Sequence, residues 1–246
     1  MKSLILASAL ALGATGALAQ DVVRIGTEGA YPPFNYINDA GQLEGFEIEL
    51  GNAICERAGL TCEFVQNEWD SIIPNLVSGN YDVIMAGMSI TEERDEVIDF
   101  TQDYSPATPS AFVARSADAD LLGTVAAQTG TIQAAYIAES GATLIEFATP
   151  EETVAAVRNG EADAVFADYD FLSPMVAASG GELTFAGERV AIGGGVGAGL
   201  RESDTELRDQ IDAVLTEMKA DGSLNELLAK WFPNEDPAAV PSYPVE

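Results

Sequence analysis

Short apolar runs alternate along most of the chain with segments whose apolar residues recur every three or four positions. The apolar runs have the length and the polar borders of buried strands; they lie at residues 22–27, 62–65, 83–86, 111–114, 124–127, 144–147, 164–167 and 196–200. Between the first two runs, Phe46 and Leu50 begin a series with a spacing of four that predicts an amphipathic helix ending at Gly59. Strands that alternate with helices are typical of parallel sheets covered by helices, so the predicted fold class is α/β.

The stretch at residues 83–94, VIMAGMSITEER, changes character halfway along. Its first half is apolar on both faces, as expected for a buried parallel strand. Its second half has two hydroxyl residues, a helix N-cap at Thr91 and one arginine, Arg94, with no cationic neighbour. Because ligands of open α/β sheets bind just beyond the carboxyl ends of the strands, this pattern predicts a receptor for a small carboxylate.

A later stretch is similar to this one. VSGNYDVIMAG at residues 77–87 aligns with RNGEADAVFAD at residues 158–168, which pairs Gly87 with Asp168. The similarity predicts two α/β lobes whose equivalent strand ends meet in a cleft, although helix–glycine–strand units also look alike in unrelated α/β proteins. Asp168 is then either a partner for an ammonium group or the N-cap of the next helix.

Other candidate site residues also follow predicted strands. Glu28 lies at the exit of the first strand, and paired prolines fix the position of Tyr31. Trp69 stands at a strand-to-helix junction, where an aromatic side chain either packs in the core or stacks on a ligand. The glycine and hydroxyl residues at 128–131 open a helix whose free N–H groups suit a carboxylate, or cap an ordinary helix.

Proline and glycine punctuation predicts where the chain passes between the lobes. Residues 105–109, SPATP, are interpreted as the first crossing and the glycine-rich strand 196–200 as the return. The predicted boundaries are residues 22–107 with 201–235 for the first lobe, 111–195 for the second, and 236–246 for a proline-rich tail that is expected to be frayed.

The first 19 residues have the features of a secretory signal peptide. They contain a basic start, an apolar run and an Ala-Leu-Ala cleavage site. No later stretch is apolar for long enough to span a membrane, so the protein is expected to be exported, soluble and not inserted in the membrane. In an exported protein, Cys55 and Cys62 predict one disulfide that ties the end of a helix to the next strand.

Charge and composition exclude several functions. The formal net charge of −29 makes nucleic acid and anionic lipid poor partners. A cationic solute would be attracted, although solubility alone also accounts for such a charge. With two cysteines and no histidine, the chain offers too few ligands for zinc and lacks the commonest general base. No metal and no cofactor are therefore expected, and enzymatic hydrolysis is disfavoured.

Eight features, in order over nearly the whole chain, carry a resemblance to a known family. They are IGTEGAYPPF (25–34), LEGFEIELGNAIC (43–55), the cysteine pair, WDSIIPNL (69–76), MAGMSITEER (85–94), QTGTIQAAY (128–136), ADAVFAD (162–168) and GVGAGLRESDTEL (195–207). The chain resembles the periplasmic solute-binding proteins of ABC importers for polar amino acids, of the lysine/arginine/ornithine, histidine and arginine type. The resemblance implies the two-lobed periplasmic binding protein fold, with a mostly parallel, helix-covered sheet in each lobe and two hinge strands.

The resemblance also implies a role for each candidate residue in holding a free amino acid. Arg94 would bind the ligand carboxylate in a bidentate way. Ser89, the backbone at Gly87 and Thr131 would complete the contacts to the carboxylate and ammonium groups, and Asp168 would take the α-ammonium.

The remaining candidates would surround the ligand side chain. Tyr31 and Trp69 would sandwich it, and Glu28, with Gln133 nearby, would pair with its cationic end. Ala86 stands where some relatives have serine, which is similar to the arginine-preferring branch of the family.

These roles imply a periplasmic, monomeric, non-enzymatic protein that delivers a cationic amino acid to the permease of an ABC importer. Two alternatives stay open at this point. The ligand could be an opine or a neutral polar amino acid. The protein could also resemble the cyclohexadienyl dehydratases, enzymes of the same fold, with Glu28 as a general acid.

Overall fold

Two five-stranded sheets, each covered by helices, make up most of the described part of the protein. The computed structural model describes residues 22–233 and 241–245. The predicted signal segment, residues 1–19, and part of the predicted tail lie outside these residues. The expected two-lobed α/β fold is present.

The elements before residue 106 belong to the first lobe. In chain order they are β1 (Val23–Thr27), β2 (Ala30–Tyr31), β3 (Asn35–Ile37), β4 (Leu43–Glu44), α1 (Phe46–Ala58), β5 (Cys62–Gln66), a 3₁₀ turn (Trp69–Ser71), α2 (Ile72–Val77), β6 (Val83–Ile84), α3 (Glu92–Asp95) and β7 (Asp99–Ser105). The short strands β2, β3 and β4 form a separate small sheet.

The second lobe follows, and the chain then returns to the first. The second lobe consists of β8 (Ser110–Ala114), β9 (Thr124–Gln128), α4 (Ile132–Ser140), β10 (Thr143–Phe147), α5 (Pro150–Asn159), β11 (Ala164–Asp168), α6 (Tyr169–Ala178) and β12 (Thr184–Val190). The returning elements are β13 (Val196–Leu200), α7 (Thr205–Ala220) and α8 (Ser223–Trp231).

The two large sheets have the same topology. Their strand orders are β5-β1-β6-β13-β7 and β10-β9-β11-β8-β12. In each sheet four strands run in one direction, and the exception is the strand that enters directly after a crossing, β13 in the first sheet and β8 in the second. Each lobe therefore contains a strand that the chain reaches only by crossing from the other lobe.

The internal similarity in the sequence corresponds to equivalent positions in these sheets. The similar stretches lead into β6 and β11, which are the third strands of the two orders. At the start of each, a carboxylate accepts a backbone N–H from the neighbouring strand: Asp82 Oδ2 from Arg24 at 3.0 Å, and Asp163 Oδ2 from Thr124 at 2.8 Å. The two lobes thus repeat one structural unit, and both of its copies end at the cleft.

Helix α1 and the disulfide have the predicted form. Phe46, Leu50 and Ile54 are buried against the first sheet. Gly59 caps the helix in the left-handed conformation with a φ of 68°, which a residue without Cβ adopts at little cost. The disulfide between Cys55 and Cys62 joins α1 to β5.

The described part of the tail is not frayed, contrary to expectation. The Tyr243 hydroxyl donates to Asp103 Oδ2 on β7 at 2.9 Å, and its backbone N–H donates to Asn225 Oδ1 on α8 at 2.8 Å. Its ring lies 4.1 Å from the Lys219 ammonium. The half-buried Tyr243 anchors this segment to the first lobe through its hydrogen bonds and its ring, and sequence composition does not report such contacts.

Two features are absent from residues 22–233 and 241–245. No helix there has the length and apolar character needed to cross a membrane. No group of three or more histidine, cysteine or acidic side chains in the same residues could hold a metal ion.

The disulfide gives a test of fold stability. Replacing both Cys55 and Cys62 by serine releases the loop that they close in the unfolded chain, so the free energy of unfolding is expected to fall by about 2 kcal/mol. Urea denaturation followed by circular dichroism measures this change. A reducing agent should lower the stability of the wild type but not that of the double variant, and an equal response of both proteins would contradict the expectation.

Candidate ligand-binding site

A cavity lies in the cleft between the two lobes, with about 340 Å³ of space when its opening to solvent is included. All ten candidate residues from the sequence line it, together with two that were not predicted, Gln128 and Ile132. The full lining is Glu28, Tyr31, Trp69, Ala86, Gly87, Ser89, Arg94, Gln128, Thr131, Ile132, Gln133 and Asp168. The structure therefore brings the candidates of both lobes to one place.

Arg94 is held at the third position of the α3 segment. Thr91 caps this turn by accepting the Arg94 backbone N–H at 3.2 Å. The guanidinium donates from Nη1 to the Ser89 carbonyl at 2.8 Å and lies 5.3 Å from the centre of the Trp69 ring.

No carboxylate in the described part of the chain directly balances the charge of Arg94. Within residues 22–233 and 241–245, no carboxylate forms an ion pair with its guanidinium. Burial lowers the pKa of Arg94 to about 10, although the more distant charges of Asp168 and Glu93 act in the opposite direction. A desolvated cation with unused N–H donors is suited to an anion, and its planar fork matches a carboxylate.

Asp168 points into the cleft and does not cap its own helix. It is the last residue of β11, and its side chain makes no capping bond to α6. Instead, Oδ2 accepts from the Tyr31 hydroxyl of the other lobe at 2.7 Å, and Oδ1 accepts from Gln133 Nε2 at 2.8 Å. Burial raises the pKa of Asp168 to about 6, although the hydrogen bond from Tyr31 favours the ionised form.

Glu28 provides a second carboxylate in the cavity. Its Oε1 atom accepts from Gln128 Nε2 at 2.6 Å, a bond that joins the two lobes. Burial raises the pKa of Glu28 to about 7, and the nearby charge of Glu47 acts in the same direction. Gln133, which the sequence placed beside Glu28, donates to Asp168, so Gln128 occupies the expected position.

Two aromatic side chains complete the contacts between the lobes. Tyr31 stacks on Phe171 of α6 with ring centres 4.5 Å apart and an angle of 8° between the rings. Trp69 Nε1 donates to the Gly130 carbonyl at 3.4 Å. Both rings line the cavity while also touching the opposite lobe, so they close the cleft as well as bound it.

Three predicted ligand contacts, Thr131, Gly87 and Ser89, differ in whether the protein already uses their hydrogen-bonding groups. The Thr131 hydroxyl is used at the start of α4, where it donates to the Gln128 carbonyl at 2.7 Å and accepts from the Ala134 N–H at 3.1 Å. The Gly87 N–H donates to Glu47 Oε1 at 2.7 Å, which leaves its carbonyl for a ligand. The Ser89 hydroxyl bonds to no protein group in the described part of the chain and is free.

Glu47, which sequence reasoning did not select, supports the site from behind. This fully buried carboxylate accepts from the Gly87 N–H, from Asn35 Nδ2 at 2.7 Å and from the Tyr104 hydroxyl. Asn35 in turn accepts the Gly29 N–H at 2.7 Å. Glu47 thus links three segments: the loop after β1, through Asn35, the loop after β6, and β7, the strand that precedes the crossing to the second lobe. The available signal was an acidic residue on the apolar face of α1, next to Phe46.

The architecture and the comparisons together identify the class of protein. Two lobes of equal topology around a charged cleft define the periplasmic binding protein fold. The chain belongs to the bacterial extracellular solute-binding proteins, family 3, whose family model matches residues 23–234.

Named relatives cover most of the chain. A histidine-binding periplasmic protein of Salmonella typhimurium is 35% identical and covers 94% of both chains. An L-arginine-binding protein of Pseudomonas aeruginosa is 32% identical, covering 94% of this chain and 97% of its own. A crystal structure of a periplasmic His/Glu/Gln/Arg/opine family-binding protein from Silicibacter pomeroyi, in complex with lysine, is 72% identical with a TM-score of 0.86, covering 87% of this chain and 98% of that one.

The hydrogen bonds that Glu47 accepts are expected to stabilise the folded protein. Replacing Glu47 by alanine leaves three buried donors without an acceptor, so the free energy of unfolding should fall by more than about 3 kcal/mol. Urea denaturation measures this. Glu56→Ala, on the exposed side of the same helix, is the matched control and should change stability by less than about 0.5 kcal/mol. Similar losses in the two variants would show that Glu47 does not hold the loops.

Proposed function

We propose that this protein is a periplasmic receptor that binds a free amino acid with a cationic side chain and delivers it to the permease of an ABC importer. The observation that carries the proposal is the set of charges in the cavity. Arg94, which has no ion-pair partner among the described residues, faces the cleft together with two carboxylates, Asp168 and Glu28. A diamino acid has the complementary set of one carboxylate and two cationic groups, and buried charges require such partners.

The proposed contacts assign one group of the ligand to each charge. Arg94 and the free Ser89 hydroxyl bind the α-carboxylate. Asp168 and the Gly87 carbonyl accept from the α-ammonium, and Glu28 pairs with the cationic end of the side chain.

The remaining lining residues shape the space between these charges. Tyr31 and Trp69 flank the ligand side chain, and Ala86 leaves room beside them. Gln133 orients Asp168 through its hydrogen bond, and Thr131 fixes the start of α4.

Binding to both lobes explains how the ligand would change the protein. Arg94 and Glu28 belong to the first lobe and Asp168 to the second. A ligand that contacts all three stabilises the conformation in which the lobes meet, by the difference between its affinities for the closed and open forms. We propose the sequence-derived bounds, 22–107 with 201–235 and 111–195, as the two moving bodies, in a protein that acts as a monomer.

The names of the relatives support this choice of ligand. Two of them are named for histidine and arginine binding, and the 72% identical structure contains lysine. We propose binding without turnover, because the relatives are named as binding proteins. The pKa of about 7 at Glu28 would also suit a general acid in a dehydratase. Recovery of unchanged ligand after long incubation supports the receptor, and conversion of a carboxylated ring compound would support the enzyme.

Arg94 gives the direct test. Isothermal titration calorimetry of the wild type is expected to show binding of at least one of lysine, ornithine, arginine and histidine. Arg94→Lys keeps the charge but loses the fork, so it should weaken that binding by more than about 2 kcal/mol, or roughly thirtyfold. Arg115→Lys, at an exposed position, is the matched control and should bind like the wild type. An unchanged affinity in Arg94→Lys would refute the assignment.

The two carboxylates predict how affinity depends on pH. Both must be ionised in the complex, and their pKa values in the free protein are about 7 for Glu28 and about 6 for Asp168. Below pH 7 a proton must leave Glu28 on binding, so affinity should be highest near pH 8, fall about tenfold per pH unit below 7, and fall more steeply below 6.

Calorimetry between about pH 8 and pH 5.5 measures this profile. Glu28→Gln should remove the slope between pH 7 and pH 6 and retain the slope below pH 6. An affinity for the cationic ligand that stays constant over the whole range would contradict the assigned roles.

A further inference from the structure

Gln128 is a cavity residue with a fixed orientation. It ends β9, and its Nε2 atom donates to two acceptors, Glu28 Oε1 at 2.6 Å and the Ala148 carbonyl at 3.1 Å. A rotated amide would place its oxygen against a carboxylate and a carbonyl, so only one orientation satisfies both partners. Gln128 is itself buried.

This bond leaves Glu28 with one free oxygen. Oε1 is occupied by Gln128, whereas Oε2 has no partner in the described residues. Glu28 is only 6% exposed, and its backbone carbonyl accepts from Gln66 Nε2 at 3.2 Å. Because both ends of the residue are held, Oε2 is the carboxylate oxygen whose full acceptor capacity is left for a ligand, whereas Oε1 already accepts one hydrogen bond.

The two kinds of cationic side chain differ in how they use such an acceptor. A guanidinium is a planar fork that pairs best with both oxygens of a carboxylate, whereas an ammonium is a compact charge whose three donors rotate to the acceptors at hand. To bind in the bidentate way, a guanidinium would have to place a donor on Oε1 beside the Gln128 amide, or displace that amide. Displacement would break a contact between the lobes and leave the amide with one acceptor fewer.

We infer that Gln128 makes this site selective for a side-chain ammonium, as in lysine and ornithine, over a guanidinium, as in arginine. The inference rests on the proposed function and specifies its ligand class. Gln128 acts by occupying Glu28 Oε1, so its removal should change the preference between head groups and not merely the affinity.

Calorimetry at about pH 8 tests the preference in the wild type, with Glu28 ionised. Lysine should bind at least about tenfold more tightly than arginine. Norarginine, which is one methylene shorter than arginine, places its terminal nitrogens about as far from the α-carbon as the ammonium of lysine. It should also bind at least about tenfold more weakly than lysine. Equal affinity for lysine and either guanidinium ligand would overturn the inference.

The variants test the role of Gln128 itself. Gln128→Met keeps the length of the side chain but has no donor, so the ratio of arginine to lysine affinity should rise by at least about fivefold. Gln133→Met, which removes a donor from Asp168, should weaken both ligands to a similar degree and leave the ratio unchanged. An unchanged ratio in Gln128→Met would overturn the inference.

Two further results separate this inference from the proposed function. If the wild type binds none of the cationic amino acids, the proposed function itself fails. If it binds them without preferring the ammonium, only the selectivity fails. Thermal melting of each variant shows whether it folds, and the comparison of lysine with norarginine in the wild type decides the question if Gln128→Met does not fold.

Discussion

A largely desolvated guanidinium, Arg94, which has no carboxylate partner in the described part of the chain, is the constraint around which the cleft is built. Removing a cation from water is costly unless other charges or hydrogen bonds replace the solvent. Around Arg94 the protein supplies one carbonyl, the face of Trp69 and two more distant carboxylates, and these do not complete its hydrogen bonds. The chain nevertheless holds the side chain in place through the Thr91 cap and a short helical turn. These unused donors make the cleft a candidate site for an anionic group.

The rest of the fold places opposite charges around that cation from two sides. The repeated sheet topology brings the ends of β6 and β11 to the same cleft, and each of these strands pairs with the strand that enters its sheet after a crossing, β13 and β8. Contacts across the cleft already link Tyr31 to Asp168 and Gln128 to Glu28. A relative movement of the lobes would therefore assemble or disperse the set of charges as a unit. Behind the cavity, Glu47 fixes the loops of the first lobe through its hydrogen bonds.

Much of this arrangement was predictable from the sequence, because it depends on local patterns. Apolar periodicity located the strands and α1, and the similarity between residues 77–87 and 158–168 anticipated the equivalent strand ends. The ten predicted residues that line the cleft lie in the stretches that resemble the known family.

The features that the sequence did not predict depend on hydrogen bonds between residues far apart in the chain. Glu47 bonds to residues 40 and 57 positions away, Gln128 to a residue 100 positions away, and Tyr243 to one 140 positions away. A hydrogen bond between distant residues has no periodic signature, because only the completed fold brings its donor and acceptor together. For the same reason the sequence placed Gln133 beside Glu28 but could not show that Gln128 takes that position.

The position of Trp69 has a practical consequence for following the protein in solution. The chain has two tryptophans, and they differ in their surroundings. The indole of Trp69 touches Gly130 across the cleft, whereas that of Trp231 donates to Glu49 within the first lobe. Trp69 is therefore an intrinsic fluorophore whose surroundings would change if the lobes separated, and its emission could report such a movement without an attached dye.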